Sequence, residues 1–268
     1  MPISDAELQI LIEKIAIDHN WDLGSYKWPT LKRRVKARMV DTDCFTPEKY
    51  YKFIEENEEE YKKLINSLTV NFTSWFRDEG AWEWVLKIMS DKALKNEQIR
   101  IWSAGCSTGE EAYSLAILAK KIEDSYAGCG NRKPKFVIYA SDIDKVSLET
   151  AKKGVYAKDK MNIDDSELSF YFDEKEGLFS VKEEIKRLVR FSVIDLVKDD
   201  YPEDMDLILC RNVMIYFSKD LQAKVFENFY YALRDSGFLI TGKVEVMPMN
   251  INHLFEMINV SEHVFKKK

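Results

Sequence analysis

Past residue 98 the chain repeats one pattern that leaves few folds open. The short apolar runs "QIRIWSAG", "KFVIYASDID", "LVRFSVIDL", "MDLILCRN" and "GFLITGK" are rich in Ile, Val and Phe, and helical or polar sequence separates each from the next. Between them "EEAYSLAILAKKIED", "VSLETAKKG" and "KDLQAKVFENFYYALRDSG" read as helices. Strands that are apolar throughout, rather than at alternate residues, belong in a parallel sheet covered on both faces. Residues 1 to 90 have a different texture, helical with few β-like runs. "SDAELQILIEKIAIDH" opens with the caps Ser4 and Asp5 and sets Leu8, Leu11, Ile12 and Ile15 on one face. "TLKRRVKARM" continues helically from Thr30, and "TPEKYYKFIEENEEEYKKLINSLTV" reads as a helix with Thr46 as cap and Pro47 at its first position.

The expected architecture is therefore α/β. An all-helical N-terminal domain spans residues 1–75, and a doubly wound sheet domain spans 76–268. One piece, "SELSFYFDEKEGLFSVKEEIKRLVRF" at 166–191, breaks the alternation. It reads as a hairpin around Asp173–Gly177, inserted between the second and third strands of the sheet.

Composition excludes several functions. A formal charge of -6 argues against a general nucleic-acid binder, which needs a basic face to displace counterions. No run approaches the roughly 18 apolar residues of a membrane span, and "MPISDAELQI" is not a signal peptide. A cytoplasmic protein without membrane insertion is the expectation. Cys44, Cys106, Cys129 and Cys210 form no CxxC, and His19, His253 and His263 are scattered, so no metal site is expected.

The break "SAGCSTGEE" after the first strand brackets Cys106, Ser107 and Thr108 with Gly105 and Gly109. In open α/β sheets ligands bind outside the carboxyl ends of the strands, where strand order reverses. A nucleoside triphosphate would want GxxxxGK[ST], but Glu110 stands where Lys should be. A dinucleotide would want GxGxxG, and here the spacing is GxxxG. Glu110 and Glu111 would also repel a pyrophosphate at that helix N-terminus. Carboxylates there suit a ligand offering hydroxyls and positive charge, and S-adenosylmethionine offers a ribose diol, a sulfonium and an amino-acid head group. A tight strand-to-helix turn with two capping glutamates is the plain alternative. Asp142 ends the second strand, where nucleoside-binding sheets place a carboxylate for the ribose. Asp144 reads as the cap of the next helix. Asp195 ends the third strand, in a position to accept from an adenine amino group.

Together "LTVNFTSWFRD", "IWSAGCSTGEEAYSLA", "ASDID", "AKKGVY" and "LILCRNVMIYF" resemble the CheR family, the chemoreceptor glutamate methyltransferases of bacterial and archaeal chemotaxis. The resemblance covers nearly the whole chain. It implies a Rossmann-like, S-adenosylmethionine-dependent methyltransferase sheet with a small inserted antiparallel β-subdomain, and methyl esterification of glutamates on receptor cytoplasmic helices. By position it implies ligand contacts from Asn71, Thr73 and Arg77 in the linker, from Gly105, Glu111 and Asp142, and from Asp195 and Leu196 beside the adenine. Arg211 and Asn212 would close the pocket after the fourth strand, with Tyr216 beside the transferable methyl and Arg77 and Tyr216 as the catalytic pair. Three departures stand out. Ala112 replaces a usual proline, "GKVEVMP" keeps Glu245 but puts Val244 in place of a small hydroxyl residue, and the inserted hairpin has a short turn.

A non-catalytic module binding S-adenosylmethionine or S-adenosylhomocysteine is the alternative; it would keep Glu111 and Asp142 but need not keep Arg77 and Tyr216. Nucleic-acid methylation is disfavoured, because "CRNVMIYF" lacks the [DNS]-P-P-[YF] motif. The cations Lys32, Arg33, Arg34, Lys36 and Arg38 lie on about two helical turns. A solvated helix face is their default reading, and the resemblance adds docking of glutamate-rich receptor helices. Family members that tether themselves to a peptide at the receptor's C-terminus have a longer, glycine-bearing turn in the inserted hairpin. The short acidic turn here leads to the expectation that the protein meets its receptor through Lys32, Arg33, Arg34 and Arg38 instead, and a monomer is expected.

Overall fold

A computed structural model describes residues 3–19, 27–68, 73–95, 98–127, 133–161 and 163–268. The chain divides into two compact units, Met1–Val70 with Ile215–Leu221, and Asn71–Met214 with Gln222–Lys268.

The first unit is helical. Helix α1 (Asp5–Asp18) starts at a capping box in which Ser4 and Glu7 satisfy each other's backbone N–H groups. Leu8, Leu11, Ile12 and Ile15 line its buried face. Helix α2 (Trp28–Asp41) buries Leu31, Val35 and Met39, one residue per turn. Thr46 caps α3 (Pro47–Glu56), but the helix stops ten residues on. Asn57 leaves helical geometry, and its side chain accepts from the Glu60 N–H, capping the separate helix α4 (Glu58–Leu68). The stretch that reads as a single helix is thus two.

A polar anchor sits in this unit's core. Glu60 is only 2% exposed. It takes two charge-assisted hydrogen bonds from the Arg38 guanidinium and one from the Tyr50 hydroxyl at 3.0 Å. Arg38 also reaches Asp41 at 3.0 Å.

The second unit starts with α5 (Glu79–Ala93), then β1 (Gln98–Ala104), α6 (Glu110–Ala127), β2 (Lys135–Asp142) and α7 (Lys145–Lys153). Next come β3 (Val155–Ala157), α8 (Asp165–Tyr171), β4 (Phe172–Lys175), β5 (Leu178–Val181), α9 (Glu183–Lys186) and β6 (Val189–Val193). The chain closes with β7 (Met205–Cys210), α10 (Lys219–Ala232), β8 (Leu233–Thr241), β9 (Phe255–Asn259) and β10 (Val264–Lys267). The main sheet runs β6-β2-β1-β7-β8-β10-β9. All five apolar runs are strands of its parallel part, and β7 is buried at every residue.

The sheet unit departs from the sequence reading in three places. The sheet is mixed, because β10 pairs antiparallel with both β8 and β9. "LRDSG" is strand rather than the end of a helix: Leu233 pairs with Met205, the register shifts before Phe238, and Ser236 adopts φ 59° in the resulting irregularity. The small antiparallel sheet has the order β3-β5-β4, so it recruits Val155–Ala157 from ahead of residue 166, while residues 189–191 belong to the main sheet. Its β4–β5 turn is two residues, Glu176 and Gly177, both with positive φ, the geometry that matches strand twist in tight hairpins.

Glu60→Gln should destabilise the chain by about 3 kcal/mol, because it leaves the Arg38 guanidinium partly buried beside a neutral amide. Denaturant unfolding followed by circular dichroism checks this, and unchanged stability would show that the ion pair contributes nothing net.

Candidate active site

Strand order reverses between β1 and β7: β2 and β6 extend the sheet one way and β8 the other. The loops leaving β1 and β7 therefore border the crevice where such sheets bind ligands. The glycine break is the first of these loops. Gly105 has φ 81° and Gly109 φ 99°, a region that L side chains rarely adopt. A Cβ on Gly105 would collide with the side chain of Val213, from the loop after β7, so glycine lets the two loops close on each other. The N–H groups of Gly105 and Cys106 both donate to the Ser141 carbonyl, at 2.8 and 2.9 Å. Cys106 is buried, and burial pushes its thiol well above the usual range, so it packs rather than reacts.

Asp142, 8% exposed, ties the second strand end to this loop. One carboxylate oxygen accepts from the Ser107 N–H at 2.8 Å and the other from the Asp144 N–H at 2.9 Å. Burial pushes its carboxyl pKa up while these donors pull it down. Asp144 caps α7 through the Val146 N–H and the Ser147 hydroxyl, as its spacing suggests. Asp195, after β6, accepts from the Val197 N–H at 2.8 Å. Leu196 beside it is buried, and its carbonyl accepts from the Tyr201 hydroxyl at 2.6 Å.

The two glutamates of the break separate in role. Glu110 is buried and accepts from the Thr108 hydroxyl at 2.7 Å. Glu111 accepts from the Ser103 hydroxyl at 2.7 Å and lies 3.5 Å from an Nη of Arg211. Burial raises the Glu111 pKa, and the charges of Arg211 and, more weakly, Arg77 oppose the rise. Arg211, 8% exposed, donates its other Nη to the Arg77 carbonyl at 2.7 Å and the Asp78 carboxylate at 2.6 Å.

Glu245 is the residue whose importance the sequence left unexplained. It is 2% exposed and accepts from the N–H groups of Asn212 (2.9 Å), Met214 (2.6 Å) and Gly242 (2.7 Å). Asn212 holds φ 62° against it, so Glu245 fixes the turn after β7. Its neighbours Val244 and Val246 point outward and are exposed.

Thr73 and Arg77 are half-buried. Asn71 lies outside the described residues. Tyr216 falls in the segment grouped with the helical unit, where its carbonyl accepts from the Lys27 N–H at 2.9 Å. The structure thus brings Gly105, Glu111, Asp142, Arg211 and Asn212, with Arg77, to neighbouring strand ends of one sheet. Of the α2 cations, Arg33 and Lys36 are exposed, Lys32 and, at 3.9 Å, Lys36 pair with Asp5, Arg34 is half-buried, and Arg38 is committed to Glu60 and Asp41. A cavity of about 290 Å³, lined by Asp199, Asp200, Tyr201, Glu203, Asn228 and Tyr231, adjoins the Asp195–Leu196 turn through Asp199 and Tyr201 and includes none of the sequence-predicted site residues in its lining.

The donor set fits S-adenosylmethionine. Ser107 Oγ, Asn212 Oδ1 and Arg211 Nε are buried without a partner among the described residues, and such groups are costly unless a ligand or water satisfies them. Acceptors dominate the crevice through Glu111, Asp142 and Asn212, which suits hydroxyls and an ammonium better than phosphate. Among the described residues no helix is long and apolar enough to cross a membrane.

Two family models account for the chain: the CheR methyltransferase all-alpha domain over residues 6–69, and the CheR methyltransferase SAM-binding domain over 71–264. Relatives agree. The chain is 31% identical over 264 residues to the chemotaxis protein methyltransferase of Escherichia coli, covering 95% of this chain and 87% of that one. It is 32% identical to that of Salmonella typhimurium, with 91% and 85% covered, and 31% identical to that of Listeria innocua, with 85% of each covered. With a matching domain on each side of residue 70 and a crevice built of hydrogen-bond acceptors, the chain belongs to the CheR methyltransferase family and takes S-adenosylmethionine as its cofactor.

Proposed function

We propose that this chain methylates glutamate side chains on the cytoplasmic helices of chemoreceptors, forming glutamyl methyl esters. The observation that carries the reading is the crevice itself: acceptors and one buried arginine, without a histidine or a low-pKa cysteine among its described residues. When bound, the cofactor supplies a methyl group on a cationic sulfur, so that transfer to a carboxylate oxygen leaves a neutral ester and a neutral thioether. A glutamate acceptor, with a reference pKa of about 4.3, arrives ionised and needs no general base. The residues then have only to bind, orient and exclude water, and orientation supplies roughly 7–11 kcal/mol in well-aligned systems.

In this reading Glu111 and Asp142 hold the cofactor's polar groups, with Asp195 and Leu196 bordering the adenine. Asn212 Oδ1 and Arg211 Nε complete the pocket. Arg77 orients a carboxylate through a charge-assisted pair. Incubation with methyl-labelled cofactor and a receptor cytoplasmic fragment should place base-labile label on glutamate. Arg77→Ala should cut that rate at least tenfold with little change in melting temperature. Label that resists base would contradict ester formation, and a large melting-temperature drop at normal rate would make Arg77 structural.

Docking on the receptor falls to the α2 face. Arg33 and Lys36 are its exposed cations, since Arg38 serves the helical core. Exposed Asp173, Glu174 and Lys175 lead into the two-residue hairpin turn, which includes Glu176, so three carboxylates against one ammonium leave a net negative charge facing an acidic peptide tether. Reversing charge with Arg33→Glu and Lys36→Glu together should slow methylation several-fold and leave S-adenosylhomocysteine affinity unchanged. Added salt should slow the wild type, and deleting the receptor's C-terminal tail should not. Tight binding of a tail peptide would contradict this mode of docking.

A further inference from the structure

The segment entering α5 is bent in an unusual way. Phe76 has φ 48° and Asp78 φ 59°, so two non-glycine residues in the left-handed region flank Arg77. Such residues cost free energy and persist where surrounding contacts hold them, often at functional sites. Asp78 occupies the cap position of α5, yet its side chain makes no capping hydrogen bond. Its carboxylate goes to the Arg211 guanidinium instead, at 2.6 Å, and the same Nη takes the Arg77 carbonyl at 2.7 Å. The indole N–H of Trp82 also donates to that carbonyl, at 2.9 Å.

Arg211 thus serves two carboxylates unequally. The short contact goes to Asp78, and Glu111 is left at 3.5 Å. A buried guanidinium with only Glu111 for a partner would close on it, and a tight pair cancels the charge that Glu111 offers to a ligand. Asp78 removes that need. Its side chain is about one-third exposed, so water helps it carry charge while Arg211 stays buried.

We infer that Asp78 is a positioning residue: by satisfying Arg211 it keeps the Glu111 carboxylate available for the cationic amino-acid end of the cofactor. The inference rests on the S-adenosylmethionine site proposed above and deepens it. It assigns the amino-acid end to the Glu111–Arg211 side and gives the aspartate after Arg77 a task in binding rather than in helix capping.

Calorimetry with two ligands tests it without turnover. S-adenosylhomocysteine carries the amino-acid head, and 5′-methylthioadenosine lacks it. Asp78→Asn should weaken S-adenosylhomocysteine roughly tenfold and leave 5′-methylthioadenosine within about twofold. Asp78→Glu, which keeps the charge, should restore most of the loss. In a Glu111→Gln background Asp78→Asn should add nothing, because the group it acts through is gone. Equal loss for both ligands, no loss for either, or an unfolded Asp78→Asn protein beside a folded Asp78→Glu one would overturn the inference. No acceptor is present in these measurements, so a failure of the glutamate-ester reading leaves the ligand split intact, and the converse also holds.

Discussion

Two buried carboxylates, bound largely by main-chain N–H groups, hold the crevice in shape. Asp142 takes the Ser107 and Asp144 N–H groups, and Glu245 takes those of Asn212, Met214 and Gly242. Each joins a loop at one strand end to a segment more than thirty residues away. Burial raises the pKa of both groups, so an ionised acid is stable there only because backbone dipoles replace water. With them in place, Gly105 comes within contact of Val213 and the loops after β1 and β7 form one rim. Preorganisation of that kind suits the proposed transfer to an ionised carboxylate, for which the groups must already be aligned when the ligand arrives.

Charge is arranged differently in the two units. In the helical unit Arg38 and Glu60 close on each other beside Tyr50, which consumes a cation that the family resemblance offers to a receptor. In the sheet unit Arg211 is shared between Asp78 and Glu111, which leaves one carboxylate loosely held. The first arrangement fixes a fold, and the second leaves charge where a ligand can use it. Burial alone does not separate them; the number and distance of the partners does.

Local patterns made much of this legible in the sequence. Short runs rich in Ile, Val and Phe announced β1, β2, β6, β7 and the second half of β8, and the paired glycines announced the loop at the switch point. Asp144 announced its helix. What stayed hidden depends on distant partners. Strands β9 and β10 are short, and β9 alternates too weakly to stand out from a polar loop. Val155–Ala157 becomes a strand only because β5 is there to pair with it. Asn57 looks like any polar residue inside a helical stretch until its side chain is seen capping α4. Glu245 stood out only as the glutamate that the family pattern keeps, and its task stayed hidden because two of its donors lie 31 and 33 residues earlier. Asp78 gave no signal, since the residue it serves is 133 positions away.

In this reading the cofactor lies across the rim built by the β1 and β7 loops. Hydrogen–deuterium exchange with and without S-adenosylhomocysteine reads that placement. Added protection is expected for the amides at 105–111, 142–144, 195–197 and 211–214, with α1 to α4 unchanged. Protection centred on the acidic cavity at Asp199, Asp200 and Glu203, or none at 105–111 and 211–214, would contradict it.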